Sequence, residues 1–174
     1  MDAEYTYHRQ LKHDYFDTTI SREFFDMFCG APIGYGITRV VYDYVPDPTC
    51  VIKIEAADGL FQNVHEWDLY KQYKNAGSCH ARWLAPCVKI SSNGIILIQK
   101  KATPVPYTMK LPKKIPRFLS DLKRENFGIY QKRLVCMDYG RHDAVHASSG
   151  IMKKAEWLNA VDGHFRRFYS GARS

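Results

Sequence analysis

The sequence predicts an α+β protein whose main element is a five-stranded antiparallel sheet with one helix beside it. Residues 40–45 alternate in the two-residue period of a strand. The apolar segments 86–90 and 95–99 are joined by a turn that contains Asn93-Gly94, and Asn-Gly is a strong hairpin signal. Apolar residues recur at helical spacing across residues 60–75, which predicts the helix.

The first part of the chain supplies the remaining elements. Residues 1–20 are polar and aromatic, and we expect a partly ordered arm there. A short helix follows, with Phe24, Phe25 and Phe28 on its apolar face and Gly30 at its end. The sheet then begins with the glycine-rich segment that precedes residue 40.

Two features of the predicted sheet are candidates for phosphate binding. Gly34 and Gly36 form a tight turn, and glycines let backbone amides approach a phosphate closely. A plain hairpin turn explains the same residues. Lys53 stands in the apolar strand Cys50–Glu55, where a lysine costs free energy unless it is paired. A lysine on an edge strand, facing solvent, is the alternative.

Composition narrows the class of protein. The chain has 174 residues, 45% of them hydrophobic, which suits one domain or one small lobe with a reduced second lobe. Five cysteines without a CxxC pair indicate reduced thiols in a cytoplasmic protein. Zinc binding by Cys79, His80 and Cys87 is disfavoured because their spacing is not standard. No signal peptide or membrane span is evident, so no membrane partner is expected.

The net charge of +7 makes the chain basic. A basic surface attracts phosphate, nucleic acid or anionic membrane. The basic residues are spread along the chain, with local clusters at 110–117 and 166–173, and a merely solvated surface accounts for them equally well. No recognised nucleic-acid-binding module is present. The charge therefore permits a nucleic-acid partner, but the sequence does not predict one.

The stretch from Asp121 to Gly140 concentrates the candidate chemistry. It places two carboxylates, Asp121 and Asp138, and the carboxamide of Asn126 around a hairpin predicted at residues 127–137. A hairpin brings its ends together, so Asn126 and Asp138 should lie near each other. Converging oxygen atoms of this kind suit Mg²⁺. Taken singly, the same residues are typical of a helix N-cap, a turn and a strand end.

This stretch resembles the catalytic core of the protein-kinase-like superfamily. The family pattern H-R-D-L-x-x-x-N followed by D-F-G corresponds to Asp121-Leu122-Lys123-Arg124-Glu125-Asn126 and then Asp138-Tyr139-Gly140. The whole chain is also similar in texture to small kinase-like proteins encoded by tailed bacteriophages. The resemblance implies an arm and short helix at 1–28, a kinase N-lobe-like unit at 29–103 and a reduced C-lobe at 104–174.

The resemblance implies a role for residues of the predicted sheet and helix in binding ATP. Lys53 would contact the α- and β-phosphates, held by Glu66 of the helix. A surface glutamate on a solvated helix face is the alternative for Glu66. Gly34, Tyr35 and Gly36 would cover the phosphates.

The resemblance assigns the rest of the site as well. Gln99 and Lys101 fall in the hinge, where backbone groups would meet the adenine. Asn126 and Asp138 would hold Mg²⁺, and Asp121 would orient or deprotonate the acceptor hydroxyl. The expected function is therefore binding of ATP and Mg²⁺, with transfer of phosphate to a protein or a small molecule.

Several departures from the family favour a different function. Leu119-Ser120 replaces the His-Arg before the catalytic aspartate, and Arg39 stands near the place of the missing third glycine. Prolines interrupt residues 104–120, which leaves no room for a full-length C-lobe helix. Residues 150–170 are predicted to form one C-terminal helix. The alternative is a pseudokinase-like phage module that acts on a protein in the host cytoplasm without catalysis.

Overall fold

The computed structural model describes residues 19–36, 38–56, 60–140 and 151–158. This part of the chain folds as an α+β protein with two α-helices and ten short strands. The helices are α1 (Thr19–Phe28) and α2 (Gln62–Asn75). The strands are β1 (Cys29–Tyr35), β2 (Arg39–Tyr44), β3 (Cys50–Glu55), β4 (Cys87–Ile90), β5 (Ile96–Lys100), β6 (Thr103–Pro104), β7 (Lys114–Pro116), β8 (Phe127–Tyr130), β9 (Arg133–Cys136) and β10 (Met152–Lys154).

The first five strands form one antiparallel sheet, in the order β1-β2-β3-β5-β4, which confirms the predicted five-stranded sheet. The register places Lys53 between Val41 on β2 and Leu97 on β5. Lys53 therefore lies on the central strand, and the alternative of a solvent-facing lysine on an edge strand is wrong.

The two faces of this sheet are covered by different helices. On one face, Phe25 of α1 meets the ring of Tyr42 edge-on, with centroids 5.3 Å apart. Ile52 and Ile54 of β3 belong to the same apolar cluster. Successive side chains of a strand point to opposite faces. Lys53 therefore points to the other face, which is covered by α2.

Helix α2 is capped by a residue of the sheet. The carboxylate of Glu55, at the end of β3, accepts hydrogen bonds from the backbone N–H groups of Gln62 (2.8 Å) and Asn63 (3.0 Å). These contacts satisfy two N–H donors that have no partner within the helix, and a negative charge there suits the helix dipole. Phe61, just before the helix, has a left-handed φ of 53°, so the chain turns sharply into α2.

The buried face of α2 matches the predicted one only in part. The helical spacing places Leu60, Val64, Trp67 and Tyr70 or Lys71 on one face; Tyr70 is buried, whereas Leu60 is exposed and Val64 and Trp67 are half-buried. The buried residues of the helix are Gln62, Asn63, Glu66, Leu69, Tyr70 and Tyr73. Polar side chains can occupy this face because internal hydrogen bonds remove much of the cost of burying them.

A three-stranded sheet carries the predicted hairpin. β8 and β9 pair antiparallel, and β6 lies on the other side of β8. The turn residues Gln131 and Lys132 have φ values of 48° and 63°. Positive φ at both central residues is the signature of a type I′ turn, whose twist matches that of the strands. The hairpin and its turn therefore form where the sequence predicts them.

The predicted C-terminal helix is wrong in its described part. Residues 152–154 form β10, which pairs antiparallel with β7. The indole N–H of Trp157 donates to the carbonyl oxygen of Pro112 (3.0 Å), and its ring lies edge-on to Phe127 at 4.9 Å. These long-range contacts override the local helical periodicity. Residues 159–170 of the predicted helix lie outside the described residues, as do the arm at 1–18 and the loop at 141–150.

The largest apolar cluster lies between α2 and the second half of the chain. Tyr73 of α2 packs on Phe118 with ring centroids 4.7 Å apart, and Leu69, Leu119 and Phe127 belong to the same cluster. The helix and the hairpin therefore pack against one shared core. Division of the chain at residue 104 stays a prediction. Neither described helix is long and apolar enough to cross a membrane.

Candidate functional site

Four charged side chains meet between the five-stranded sheet and the end of the hairpin. We call them the ion cluster: Arg39 at the start of β2, Lys53 in β3, Glu66 in α2 and Asp138 just after β9. The Lys53 ammonium lies 2.8 Å from Glu66 Oε2, and these side chains are only 4% and 0% exposed. The predicted pairing of Lys53 with Glu66 is therefore present, and Glu66 is not a surface residue.

The Lys53–Glu66 pair also holds the segment that follows the hairpin. Lys53 Nζ donates to the backbone carbonyl of Met137 at 2.6 Å. The backbone N–H of Tyr139 donates to Glu66 Oε1 at 3.0 Å. Asp138 stands between these two backbone contacts. The pair thus fixes the chain on both sides of Asp138, which connects the sheet to the predicted catalytic stretch.

Arg39 is the second cation of the cluster, and it bridges both carboxylates. Its guanidinium donates to Glu66 Oε1 and to Asp138 Oδ1, the latter at 2.6 Å. Its side chain is 4% exposed, whereas that of Asp138 is 52% exposed. Burial alone lowers the pKa of the Arg39 guanidinium, but the nearby carboxylates, first Glu66 and then Asp138, outweigh burial and raise that pKa above its usual value.

Asn63 completes the support of Arg39. It lies three residues before Glu66, and so on the same face of α2. Its side-chain oxygen accepts a hydrogen bond from Arg39 (3.1 Å), and its amide group donates to the backbone carbonyl of Ile95 (2.7 Å). The helix, the sheet and the guanidinium are thereby joined by one buried carboxamide. A neutral carboxamide whose oxygen and N–H groups both have hydrogen-bond partners can be buried at little cost.

The two predicted hinge residues lie in different surroundings. Gln99, in β5, is buried, and its side-chain amide donates to Glu66 Oε2 at 3.3 Å. Lys101 follows the strand, is exposed and pairs with Asp43 of β2. The side chain of Gln99 therefore belongs to the surroundings of the ion cluster, whereas the side chain of Lys101 does not.

Tyr139 fixes the Asp138-Tyr139-Gly140 segment in the core. Its buried hydroxyl donates to the carbonyl of Ala85 at 2.7 Å and lies 2.9 Å from the sulfur of Cys87. Burial raises the pKa of the Tyr139 hydroxyl well above its usual value, and it raises the pKa of the Cys87 thiol to about 12. Gly140 fits closely against α2, since a Cβ there would lie 2.8 Å from the backbone oxygen of Gln62.

Asn126 is hydrogen-bonded to the backbones of both Asp121 and Asp138. Its side-chain amide donates to the backbone carbonyl of Asp121 at 3.3 Å. The backbone carbonyl of Asn126 accepts hydrogen bonds from the backbone N–H groups of Met137 (2.7 Å) and Asp138 (3.4 Å). The proximity of Asn126 and Asp138 is therefore confirmed. The carboxylate of Asp121 lies 3.3 Å from the ammonium of Lys123.

The glycine-rich segment ends β1 beside the ion cluster. Gly34 pairs with Val41 across the sheet, and Tyr35 pairs with Val40. The N–H of Gly36 donates to the carbonyl of Arg39 at 2.8 Å. The segment is thus tied to the backbone of a cluster residue, in the manner of a hairpin turn. Residue 37, within this turn, lies outside the described residues.

Of the two residues predicted to hold Mg²⁺, Asp138 does not fit that ion in this arrangement. Asp138 Oδ1 already contacts the guanidinium of Arg39 at 2.6 Å. A divalent ion at the same oxygen would meet a fixed positive charge, which disfavours it. The hydrogen bond from Asn126 to the backbone of Asp121 uses its side-chain N–H group and not the oxygen that a metal ion would bind. Mg²⁺ binds through oxygen ligands, and here a cation of the protein is already paired with the principal one.

Sequence reasoning identified Lys53 and Glu66 but missed two of their partners. The sequence places Arg39 near the missing glycine, where it could partly cover the phosphates, but does not pair it with Glu66, and no motif includes Asn63. The spacing of Asn63 and Glu66 was an available signal, because two polar residues three positions apart share one helix face. Nothing local to Arg39 shows that it contacts Asp138, which follows ninety-nine residues later.

Comparison with known proteins does not assign a family. No family model matches the chain, and no curated protein matches it. A function for the chain therefore has to be inferred from the geometry of its side chains.

Proposed function

We propose that this chain is a kinase-like protein that binds ATP at the ion cluster, with Lys53 as the residue that contacts the phosphates. One observation carries the proposal: Lys53 Nζ lies 2.8 Å from Glu66 Oε2 on the central strand of the sheet. A buried lysine held by a helix glutamate is the arrangement that positions α- and β-phosphates in kinases. Buried charge pairs of this kind occur at functional sites, and purely structural ion-pair networks also form them.

The donor geometry of Lys53 leaves room for a phosphate oxygen. An ammonium has three donors. Within the described part of the chain, two of them are used, by Glu66 and by the carbonyl of Met137. The third donor is the proposed phosphate contact. Glu66 would keep the ammonium in place, because it is itself held by Gln99 and by the backbone N–H of Tyr139.

The ligand would enter the ion cluster from the side of Asp138. Lys53 and Arg39 are each only 4% exposed, so phosphates cannot reach them without a local movement. Asp138 is the exposed member of the cluster. We therefore place the phosphates where Asp138 now lies against Arg39, with Gly34 and Tyr35 at the end of β1 and the adjoining Gly36 beside them. The adenine would lie along the backbone from Gln99, near the end of β5, to Thr103.

Phosphoryl transfer is a second candidate function, and the position of Asp121 favours it. Asp121 and Asp138 flank Asn126, and the carboxylate of Asp121 is one-third exposed. In a transfer reaction, an acceptor hydroxyl oxygen would form a bond to the γ-phosphorus while the bond to ADP breaks. Asp121 would accept the hydroxyl proton. A chain that binds ATP without transfer would instead act as an interaction module, for which a host protein is the proposed partner.

Equilibrium binding of ATP tests the proposal. Wild type is compared with Lys53→Met and with Lys89→Met, which changes an exposed lysine of the same sheet. We expect Lys53→Met to weaken ATP binding by about tenfold or more and Lys89→Met to leave it unchanged. Thermal melts establish that each variant is folded. Absence of ATP binding by folded wild type, with and without Mg²⁺, would refute the proposal.

A transfer assay with labelled ATP separates the two functions. Asp121→Asn keeps the shape of the side chain but cannot accept the proton. If phosphate is transferred, we expect this variant to bind ATP as wild type does and to lose transfer by about a hundredfold or more. Binding by wild type without transfer to itself, to proteins of a bacterial lysate or to water would favour the interaction module.

A further inference from the structure

We infer that Arg39 takes the place of a divalent metal ion at Asp138, so that the nucleotide site of this chain works without bound metal. The part of this inference that concerns nucleotide rests on the proposed function. The part that concerns metal exclusion does not, because it follows from the ion cluster itself. Arg39 Nη2 lies 2.6 Å from Asp138 Oδ1, which is a direct ion pair.

The guanidinium is held at this position from several sides. Glu66 and Asp138 accept from the same terminal nitrogen, and Asn63 accepts from the other one at 3.1 Å. A guanidinium is planar, carries its charge at every accessible pH and donates in fixed directions. Arg39 is therefore a permanent and rigid cation, and its hydrogen-bond partners come from both α2 and the segment after β9.

The ion pair at Asp138 disfavours an additional cation at the same oxygen. Within the described residues, Glu66 and Asp138 are paired with Arg39 and Lys53, and the nearby carboxylate of Glu55 also attracts Arg39. A divalent ion at Asp138 Oδ1 would either add two charges beside the guanidinium or displace it. Displacement would leave a cation that is 4% exposed with one ion pair in place of two. The first outcome brings like charges together and the second removes an ion pair from a buried cation, so both are unfavourable.

Asp138 has a different role here from the one that the family pattern implies. In the family pattern that the sequence resembles, this aspartate belongs to the metal site. Here its carboxylate pairs with Arg39, and Asp138 becomes a positioning residue for the guanidinium. When phosphate enters, Arg39 is the cation available to exchange Asp138 for a phosphate oxygen. Arginine binds phosphate well because its paired N–H donors match the phosphate oxygens.

Titration with Mn²⁺ in the absence of nucleotide tests metal exclusion directly. Free Mn²⁺ is followed by electron paramagnetic resonance in wild type, Asp138→Asn, Arg39→Gln and Arg39→Lys. We expect no saturable Mn²⁺ binding that depends on Asp138 in wild type or in Arg39→Lys, which retains the positive charge. We expect Arg39→Gln to gain at least about tenfold in Mn²⁺ affinity. Asp138-dependent binding by wild type, or no gain in folded Arg39→Gln, would overturn the inference.

A second measurement holds even if Arg39→Gln does not fold. The affinity of wild type and Asp138→Asn for ATP is measured with excess Mg²⁺ and with excess chelator. Metal-independent binding predicts a change of less than about threefold between the two conditions for both proteins. A gain of tenfold or more with Mg²⁺ that is lost in Asp138→Asn would overturn the inference. Failure of wild type to bind ATP in either condition would refute the proposed function instead, and the Mn²⁺ titration would still decide the role of Arg39.

Discussion

Glu66→Gln is the substitution that tests the ion cluster most directly. Glu66 is fully buried, and its two oxygens accept from Lys53, Arg39, Gln99 and the backbone of Tyr139. Glutamine has nearly the same shape but no charge, and one of its oxygens becomes an NH₂ group. The substitution therefore leaves Lys53 buried without a carboxylate and turns one acceptor into a donor that faces other donors.

The expected loss of stability follows from this geometry. Removing one partner of a buried ion pair costs about 3–5 kcal/mol in the free energy of unfolding, because the remaining charge has neither water nor a counter-ion. Arg39 keeps Asp138 as a partner, so we place Glu66→Gln within this range and not above it. For a chain of this size, a loss of about 3–5 kcal/mol lowers the melting temperature by roughly 6–20 °C.

Urea unfolding followed by far-ultraviolet circular dichroism gives the free energy. Glu23→Gln, an exposed glutamate of α1, is the matched control and should stay within about 0.5 kcal/mol of wild type. A loss below about 1 kcal/mol in Glu66→Gln, with an unchanged urea slope, would refute the reasoning. It would mean that the carboxylate is not paired inside the protein as its contacts indicate.

A double-mutant cycle assigns part of this loss to Lys53. The Lys53→Met substitution removes the ammonium whose distance from Glu66 is 2.8 Å. We expect the Lys53→Met/Glu66→Gln double variant to be more stable, by about 0.5–3 kcal/mol, than the sum of the single losses predicts. Strictly additive losses would show that the two side chains do not interact.

Three further predictions concern the hairpin, the thiols and the segment that follows β10. Gly128→Ala should cost about 1–3 kcal/mol, since its Cβ would lie 2.7 Å from a methionine sulfur, whereas Gly34→Ala, whose Cβ would find contacts of 3.6 Å, should cost less than about 1 kcal/mol by the same urea assay. In an alkylation experiment followed by mass spectrometry, exposed Cys79 should react first because the reagent can reach it. Buried Cys136, whose pKa burial raises well above its usual value, should react only after denaturation, and equal rates would contradict this. Trp157→Ala should lower stability by about 2–4 kcal/mol, because its ring and indole N–H contact the core, and an unchanged melting curve would contradict the observed C-terminal packing.

The sheet and the hairpin could be predicted because their signals are local. The Asn93-Gly94 turn, the alternation from residue 40 and the positive-φ turn at Gln131-Lys132 each depend on a few neighbouring residues. The same holds for the Lys53–Glu66 pair, since a short connection between strand and helix limits where the two side chains can meet. Neighbouring residues set the turn type and the strand period, and both are retained in the folded protein.

The remaining features depend on contacts that local patterns do not encode. Apolar spacing in residues 150–170 is compatible with a helix. Instead, residues 152–154 form a strand that pairs with β7, and Trp157 packs beyond it. The polar buried face of α2 could not be predicted from the sequence for a similar reason. Asn63 looks like a surface residue until Arg39 is brought beside it by the sheet. Tertiary context overrides propensity most readily at such positions.

Pairing of β10 with β7 has a consequence for how the protein is made. Lys114–Pro116 leaves the ribosome well before Met152–Lys154, its partner strand. At roughly 5–20 residues per second, translation of the intervening segment takes about 2–7 seconds. During that interval the nascent chain exposes a strand edge and the part of Phe127 that Trp157 covers in the finished protein. The second half can therefore reach its final packing only after the segment that contains Met152–Lys154 has been synthesised.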